Sequence, residues 1–153
     1  MSTSNNPLSN KSDSDAKTSS AMIVVAHGSS DPHWQAPFEQ LRQELQLLCP
    51  KKTIYLAFLE RQSPGLVGLV ENLYRQGIRE IFVTLALMSG GGRHAKVDLP
   101  LLVDELQKNH ADLHLHANFE ALGQHPEVIR AMARACLEQA QAASKNINSS
   151  TTT

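Results

Sequence analysis

A parallel α/β sheet with helices on both faces is the fold class this sequence predicts, and three observations predict it. Apolar, strand-like runs and helical stretches alternate four times between residues 21 and 143. The first run is apolar throughout, as strands buried on both faces are. Parallel neighbours, moreover, need crossover connections, and a helix in each interval supplies them.

The first strand is the run 22–26, which ends at His27-Gly28. Over 37–48, Phe38, Leu41, Leu45 and Leu48 recur at three- and four-residue spacing, one stripe of a helix, and Pro50 stops it. Strand two, 53–59, is β-branched, aromatic and apolar, and breaks at Glu60-Arg61-Gln62-Ser63-Pro64. Ser63 reads as an N-cap with Pro64 at the first helical position of helix two. That helix turns Leu66, Val70, Leu73 and Tyr74 inward and closes at Gly77.

Strand three, 81–87, runs into a loop holding Gly90, Gly91, Gly92, Arg93 and His94. Asp98 and Pro100 start helix three, with Leu102, Leu106 and Val103 as its stripe. Residues 113–117 alternate and predict an edge strand. The last helix starts near His125-Pro126 and is expected to bury Val128, Ile129, Met132 and Cys136. With right-handed crossovers the predicted order is 2-1-3-4, a flavodoxin-like three-layer arrangement in which the chain reverses direction between strands one and three.

The ends differ in character from this core. Residues 1–20 are dominated by serine and asparagine, and 144–153 are similar, so both are expected to be disordered, a leader and a tail around one domain at 21–143. The leader lacks the apolar stretch of a secretory signal, and its acidic residues without arginine argue against a transit peptide. No apolar run reaches the roughly 20 residues that span a bilayer. Cys49 and Cys136 stand apart from any Cys-x-x-Cys pattern, which fits a reducing compartment. A cytoplasmic protein with no membrane partner is therefore expected. A net charge of −1 with scattered lysines and arginines gives no global attraction for nucleic acid.

Ligands of such sheets bind outside the carboxyl ends of the strands, at the reversal point. His27 follows strand one and His94 follows strand three, so the topology brings both to that crevice. Imidazole is the commonest metal ligand and suits a borderline divalent ion. Two ligands are too few for a closed structural zinc site, so the pair predicts an open one. A loop histidine on its own is more often merely hydrogen-bonded; it is the pairing that favours a metal. Glu60 ends strand two on the same rim, where a carboxylate takes protons or holds a cation, although a solvated glutamate is equally compatible. The glycine run lets backbone approach a ligand closely, and it lacks the Lys-Ser/Thr ending of a P-loop. Arg61, Arg93 and Lys96 add cations that would attract a polycarboxylate.

At these residues the chain resembles the small, single-domain form of the class II tetrapyrrole chelatases, the sirohydrochlorin cobaltochelatase (CbiX-type) family. The matching pieces are residues 24–29 with Asp31-Pro32, Ala57 to Glu60, Gly90 to His94 with Asp98-Leu99-Pro100, and Leu122 to Pro126. They follow the family order across the core. The stretch 85–89 departs from the pattern, lacking the proline and aromatic that many relatives carry before the glycine loop. The resemblance implies half of a class II chelatase fold and an ATP-independent lyase. Such an enzyme would insert cobalt, iron or nickel into sirohydrochlorin or a related precorrin, releasing two protons, in cobalamin- or sirohaem-type biosynthesis.

It also implies roles for particular residues. His27 and His94 would hold the incoming ion, and His27 would also take a pyrrole proton. Glu60, Met88, Ser89, Gly90, Gly91, Gly92 and Arg93 would contact the substrate. No tightly bound cofactor is expected, the metal being a substrate, and a homodimer is the implied assembly. Two other readings compete on the residues alone: a non-catalytic metal carrier using the same histidines, and a flavodoxin-like cofactor or phosphate-binding module using the glycine loop.

Overall fold

The computed structural model describes residues 20–90 and 92–150, the side chains of 94, 95 and 145–150 excepted. Four strands, β1 (Ser20–Ala26), β2 (Thr53–Phe58), β3 (Glu80–Leu85) and β4 (His114–Ala121), form one parallel sheet in the order β2-β1-β3-β4. The predicted fold class and strand order are therefore what the chain adopts. Helices α1 (Ala36–Leu48), α2 (Leu66–Arg75) and α3 (Leu99–Asn109) are the crossovers, and α4 (Pro126–Ser150) follows β4. A π-helical turn, His94–Asp98, precedes α3, and a 3-10 turn, Leu122–Gln124, precedes α4.

The register places Val24 opposite Leu56 on one side and Thr84 on the other, so β1 is central and sheds water from both faces. Alternation along it divides the core in two. Ile23 and Val25 join Ile81, Val83, Leu85 and Leu115 beneath α2 and α3, where Leu69, Val70, Leu73, Val103 and Leu106 close over them. Val24 and Ala26 join Ile54, Leu56 and Phe58 beneath α1, which lays Phe38, Leu41 and Leu45 on them with Trp34. Each fully buried aliphatic side chain is worth about 1.5–3 kcal/mol, so this double-sided core fixes where the strand ends lie.

Several helix boundaries differ from expectation. Ser63 and Pro64 do not begin α2: the Pro64 carbonyl accepts a hydrogen bond from the Phe58 N–H at 2.9 Å, prolonging the pairing of β2, and Gly65 is the N-cap. Asp98 is no side-chain cap either, because the π-turn runs straight into α3 and holds Asp98 in helical geometry. Leu48 faces solvent at 81 % exposure, since α1 outruns the sheet beneath it. Gly77 closes α2 as expected, at φ +91°.

The last helix departs most. It continues to Ser150, past the expected edge at 143, carried by the alanine-rich stretch 131–143. None of Val128, Ile129, Met132 and Cys136 is buried, and every residue from 129 to 144 is exposed, because α4 leads away from its own sheet. Residues 1–19 and 151–153, most of the expected leader and the end of the expected tail, lie outside the described residues.

At the amino ends of β3 and β4 a polar knot joins α2 to the turn before β4. Arg79 donates to Asp112 through Nε at 2.8 Å and to the Tyr74 carbonyl at 2.6 Å, while the Tyr74 hydroxyl donates to Asp112 at 2.7 Å. The Tyr74 hydroxyl first and the Arg79 guanidinium second hold the Asp112 carboxyl below its ordinary range. Its contribution to stability is thus complete above the usual carboxylate range and is lost as pH falls through the lowered value. Asp112→Asn should melt below wild type at neutral pH, and the gap should close under strong acid; thermal denaturation at the two pH values checks both.

Candidate functional site

β1, β2 and β3 end side by side, so residues 27–31, 59–63 and 86–90 share one rim of the sheet. Pairing continues past the strands. The N–H of Leu59 donates to the Ala26 carbonyl and that of Glu60 to the His27 carbonyl, each at 3.0 Å, and Ala86 N–H donates to Val25 at 2.8 Å. The approach depends on Gly28, whose φ is +96° and whose missing Cβ would stand 1.8 Å from the Glu60 carbonyl oxygen. No L-side chain fits there, so glycine is what brings Glu60 beside His27.

His27 Nδ1 lies 3.5 Å from Glu60 Oε1 and 3.3 Å from the Gly28 carbonyl oxygen. Arg61 Nε reaches the same Glu60 oxygen at 3.3 Å. Metal-binding histidines commonly turn one ring nitrogen to a carboxylate or carbonyl, which orients the other toward the ion. Nδ1 of His27 has that environment, leaving Nε2 for an ion or a proton. Both side chains are open to solvent, at 52 % for His27 and 40 % for Glu60, so a bulky ligand has access.

Gln62 braces this wall from behind. Its Oε1 accepts from the Ser29 N–H at 3.1 Å and its Nε2 donates to Gln35 Oε1 at 3.3 Å, joining both loops to the start of α1. On the other side of His27, the loop after β3 is held from below by the turn after β4. Gly123 N–H donates to the Leu87 carbonyl at 2.8 Å, and the Gly90 N–H donates to Gln124 Oε1 at 3.2 Å. A Cβ on Gly123 would fall 2.4 Å from the Met88 backbone, so this glycine too marks a close crossing of two chains. Beside it, Asn118, Glu120, Gln124 and His125 border a hollow of about 380 Å³.

Of the residues singled out from sequence, the structure brings His27 and Glu60 together and places Met88, Ser89, Gly90, Gly92 and Arg93 on the adjoining loop. Met88 is 59 % exposed, and Arg93 Nε pairs with Asp98 at 3.4 Å. His94 opens the π-turn at the end of that loop, in the expected place along the chain; its side chain and Gly91 lie outside the described residues. Among the described residues no three His, Cys, Asp or Glu side chains converge as a metal cluster. Gln62, Gly123 and Gln124 had no predicted role. The lone glycine after β4 is the only local signal of these contacts, and it does not say what approaches.

A family model described as CbiX matches residues 21–139. No curated protein matches the chain. Among solved structures, a protein described as a cobalamin (vitamin B12) biosynthesis CbiX protein, from Marinobacter aquaeolei VT8, is 24 % identical, with a TM-score of 0.68 over 82 % of this chain and 98 % of that one. The sirohydrochlorin chelatase SirB from Bacillus subtilis subspecies spizizenii, in complex with cobalt, is 22 % identical with a TM-score of 0.56, over 65 % of this chain and 42 % of its own. SirB from Bacillus subtilis with Fe3+ is 22 % identical with a TM-score of 0.55, over 65 % of this chain and 39 % of its own. This chain therefore spans about two fifths of either SirB chain.

Gly28→Ala should destabilise the protein by about 2–5 kcal/mol, combining a left-handed backbone penalty with overpacking against Glu60. Chemical denaturation measures the loss, and a variant as stable as wild type would contradict the contact. Gly123→Ala should leave the 27–60 wall in place and displace residues 87–90, which amide chemical shifts in the two segments would distinguish.

Proposed function

The chain belongs to the CbiX family, and from that premise we propose that it inserts a divalent metal ion into sirohydrochlorin or a related precorrin. The observation that carries this reading is the His27–Glu60 pair, 3.5 Å apart at the rim of the sheet and open to solvent. Insertion of a dication into the macrocycle expels two N–H protons. The site must therefore release a metal easily and accept protons nearby.

His27 suits both tasks. With Nδ1 directed to Glu60 and to the Gly28 carbonyl, Nε2 binds the ion weakly or receives a pyrrole proton, and Glu60 stabilises the imidazolium that results. His94, at the end of the adjoining loop, supplies the second imidazole of the transient metal site. A site of so few protein ligands leaves positions for the pyrrole nitrogens, so the ion passes from one donor set to the other without being stripped bare.

Sirohydrochlorin-type macrocycles carry several carboxylates. Arg61 and Arg93, 63 % and 82 % exposed, flank the two walls and attract them, while Met88 through Arg93 lie along the ring. Cobalt is the favoured ion, with iron and nickel as the other choices, and the metal is a substrate rather than a resident cofactor. Support for this activity comes from SirB, a sirohydrochlorin chelatase that has been solved with cobalt. Its chain is more than twice the length matched here, which supports a homodimer as the working unit. No helix among the described residues is long and apolar enough to cross a membrane, and a cytoplasmic setting is part of the proposal.

The test is anaerobic mixing of the purified protein with sirohydrochlorin and Co2+, Fe2+ or Ni2+, following the absorption change of the macrocycle. Wild type should exceed the spontaneous rate with at least one ion. His27→Ala and His94→Ala should each lower kcat about 10²-fold or more, the usual size of a lost acid–base or ligand group. Glu60→Gln should cost less and shift the pH–rate profile. A wild-type rate equal to the spontaneous one with every metal overturns the chelatase reading, and full activity in both alanine variants overturns the site.

A further inference from the structure

Two surfaces lack cover among the described residues. The first is one face of α4. Val128, Ile129, Met132, Ala135, Cys136 and Ala140 share a side of the helix by their spacing, and Glu127, Arg130, Arg134 and Glu138 share the other. Ile129 and Met132 are 52 % and 44 % exposed, so the apolar side has no floor.

The second is half of the sheet. α2 and α3 cover one face, whereas α1 covers only β1 and β2 on the other. Over β3 and β4 that face carries Met22, Phe82, Thr84 and His116 around an open depression of about 430 Å³. Phe82 stacks on His116 with ring centroids 4.8 Å apart, and Lys52 Nζ lies 3.4 Å from the Phe82 ring centre, a thin polar screen over an aromatic floor. The dimensions correspond. The eight residues of β4 extend about 26 Å, and the helical stripe from 128 to 143 extends about 24 Å.

We propose that two copies of the chain exchange α4, the apolar face of each helix covering the open half-sheet of its partner about a two-fold axis. A second copy is favoured over closure within one chain by the junction between β4 and α4. Gly123 is bound to Leu87 and packed on the Met88 backbone, Gln124 holds Gly90, and α4 starts at Pro126. His125 alone separates the pinned turn from the helix, and its ring nitrogen and carbonyl accept from the N–H groups of Glu127 and Ile129. A junction this short leaves little slack for the helix to fold back, the usual setting for exchange of an element between protomers. Each copy presents both a helix without a floor and a floor without a helix. Two-fold closure satisfies both together and leaves neither end open.

The homodimer itself belongs to the functional reading, and the exchanged helix is the new element; its test uses neither metal nor tetrapyrrole. The full chain should elute at twice its mass by light scattering. With Cys49→Ser and Cys136→Ser removing the native thiols, Thr84→Cys combined with Met132→Cys should give, on mild oxidation, a covalent dimer whose linked peptides join position 84 of one chain to 132 of the other. Met132→Glu should weaken dimerisation about 30-fold or more while circular dichroism stays native. A monomeric wild type, an 84–132 link within one chain, a dimer lacking that link, or an unchanged dimer in Met132→Glu would each overturn the exchange. Of these, a dimer without the link would leave the functional reading standing.

Discussion

The bond from the Glu60 N–H to the His27 carbonyl, made across a glycine that leaves no room for a side chain, is the constraint on which the site depends. The double-sided core delivers the ends of β1 and β2 side by side. Only the absence of a Cβ at Gly28 lets the chains stay paired one step further. That step turns a carboxylate toward an imidazole, and it places both at the edge of solvent rather than in the core. Gln62 then fixes the two loops to α1, so the wall is held by main chain, a glycine and one amide rather than by exposed ion pairs, which stabilise little.

The strand order has a second effect. Reversal between β1 and β3 creates the crevice, and it also sends α1 to one face of the sheet and both α2 and α3 to the other. The face with one helix is therefore left half covered. The same topological choice that makes the rim also makes the open surface on which the proposed exchange of α4 rests.

Much of this was legible in the sequence because it is local. The apolar runs at 22–26, 53–59 and 81–87 and the stripe of α2 are set by neighbours along the chain, and the strand order follows from handedness. Placing His27 and Glu60 on one rim needed only that topology. What stayed hidden depends on through-space crossings: Gly28 against Glu60, Gly123 against Met88, and Gln124 under Gly90 are separated by more than thirty residues each. The α4 stripe misled for a related reason. Amphipathicity says that a face requires cover, but not which chain provides it. Ser63-Pro64 and Asp98 carry the composition of helix caps, yet strand pairing and a π-turn claimed their backbones first.

The two walls of the rim are anchored independently, one to α1 through Gln62 and the other to the turn after β4 through Gly123 and Gln124. Substitutions in residues 85–89 can therefore reshape what rests against the loop without disturbing the histidine and carboxylate opposite. In evolutionary terms such a rim is modular: the wall of His27 and Glu60 can stay constant while the stretch 85–89 drifts, because neither wall relies on the other for its anchor.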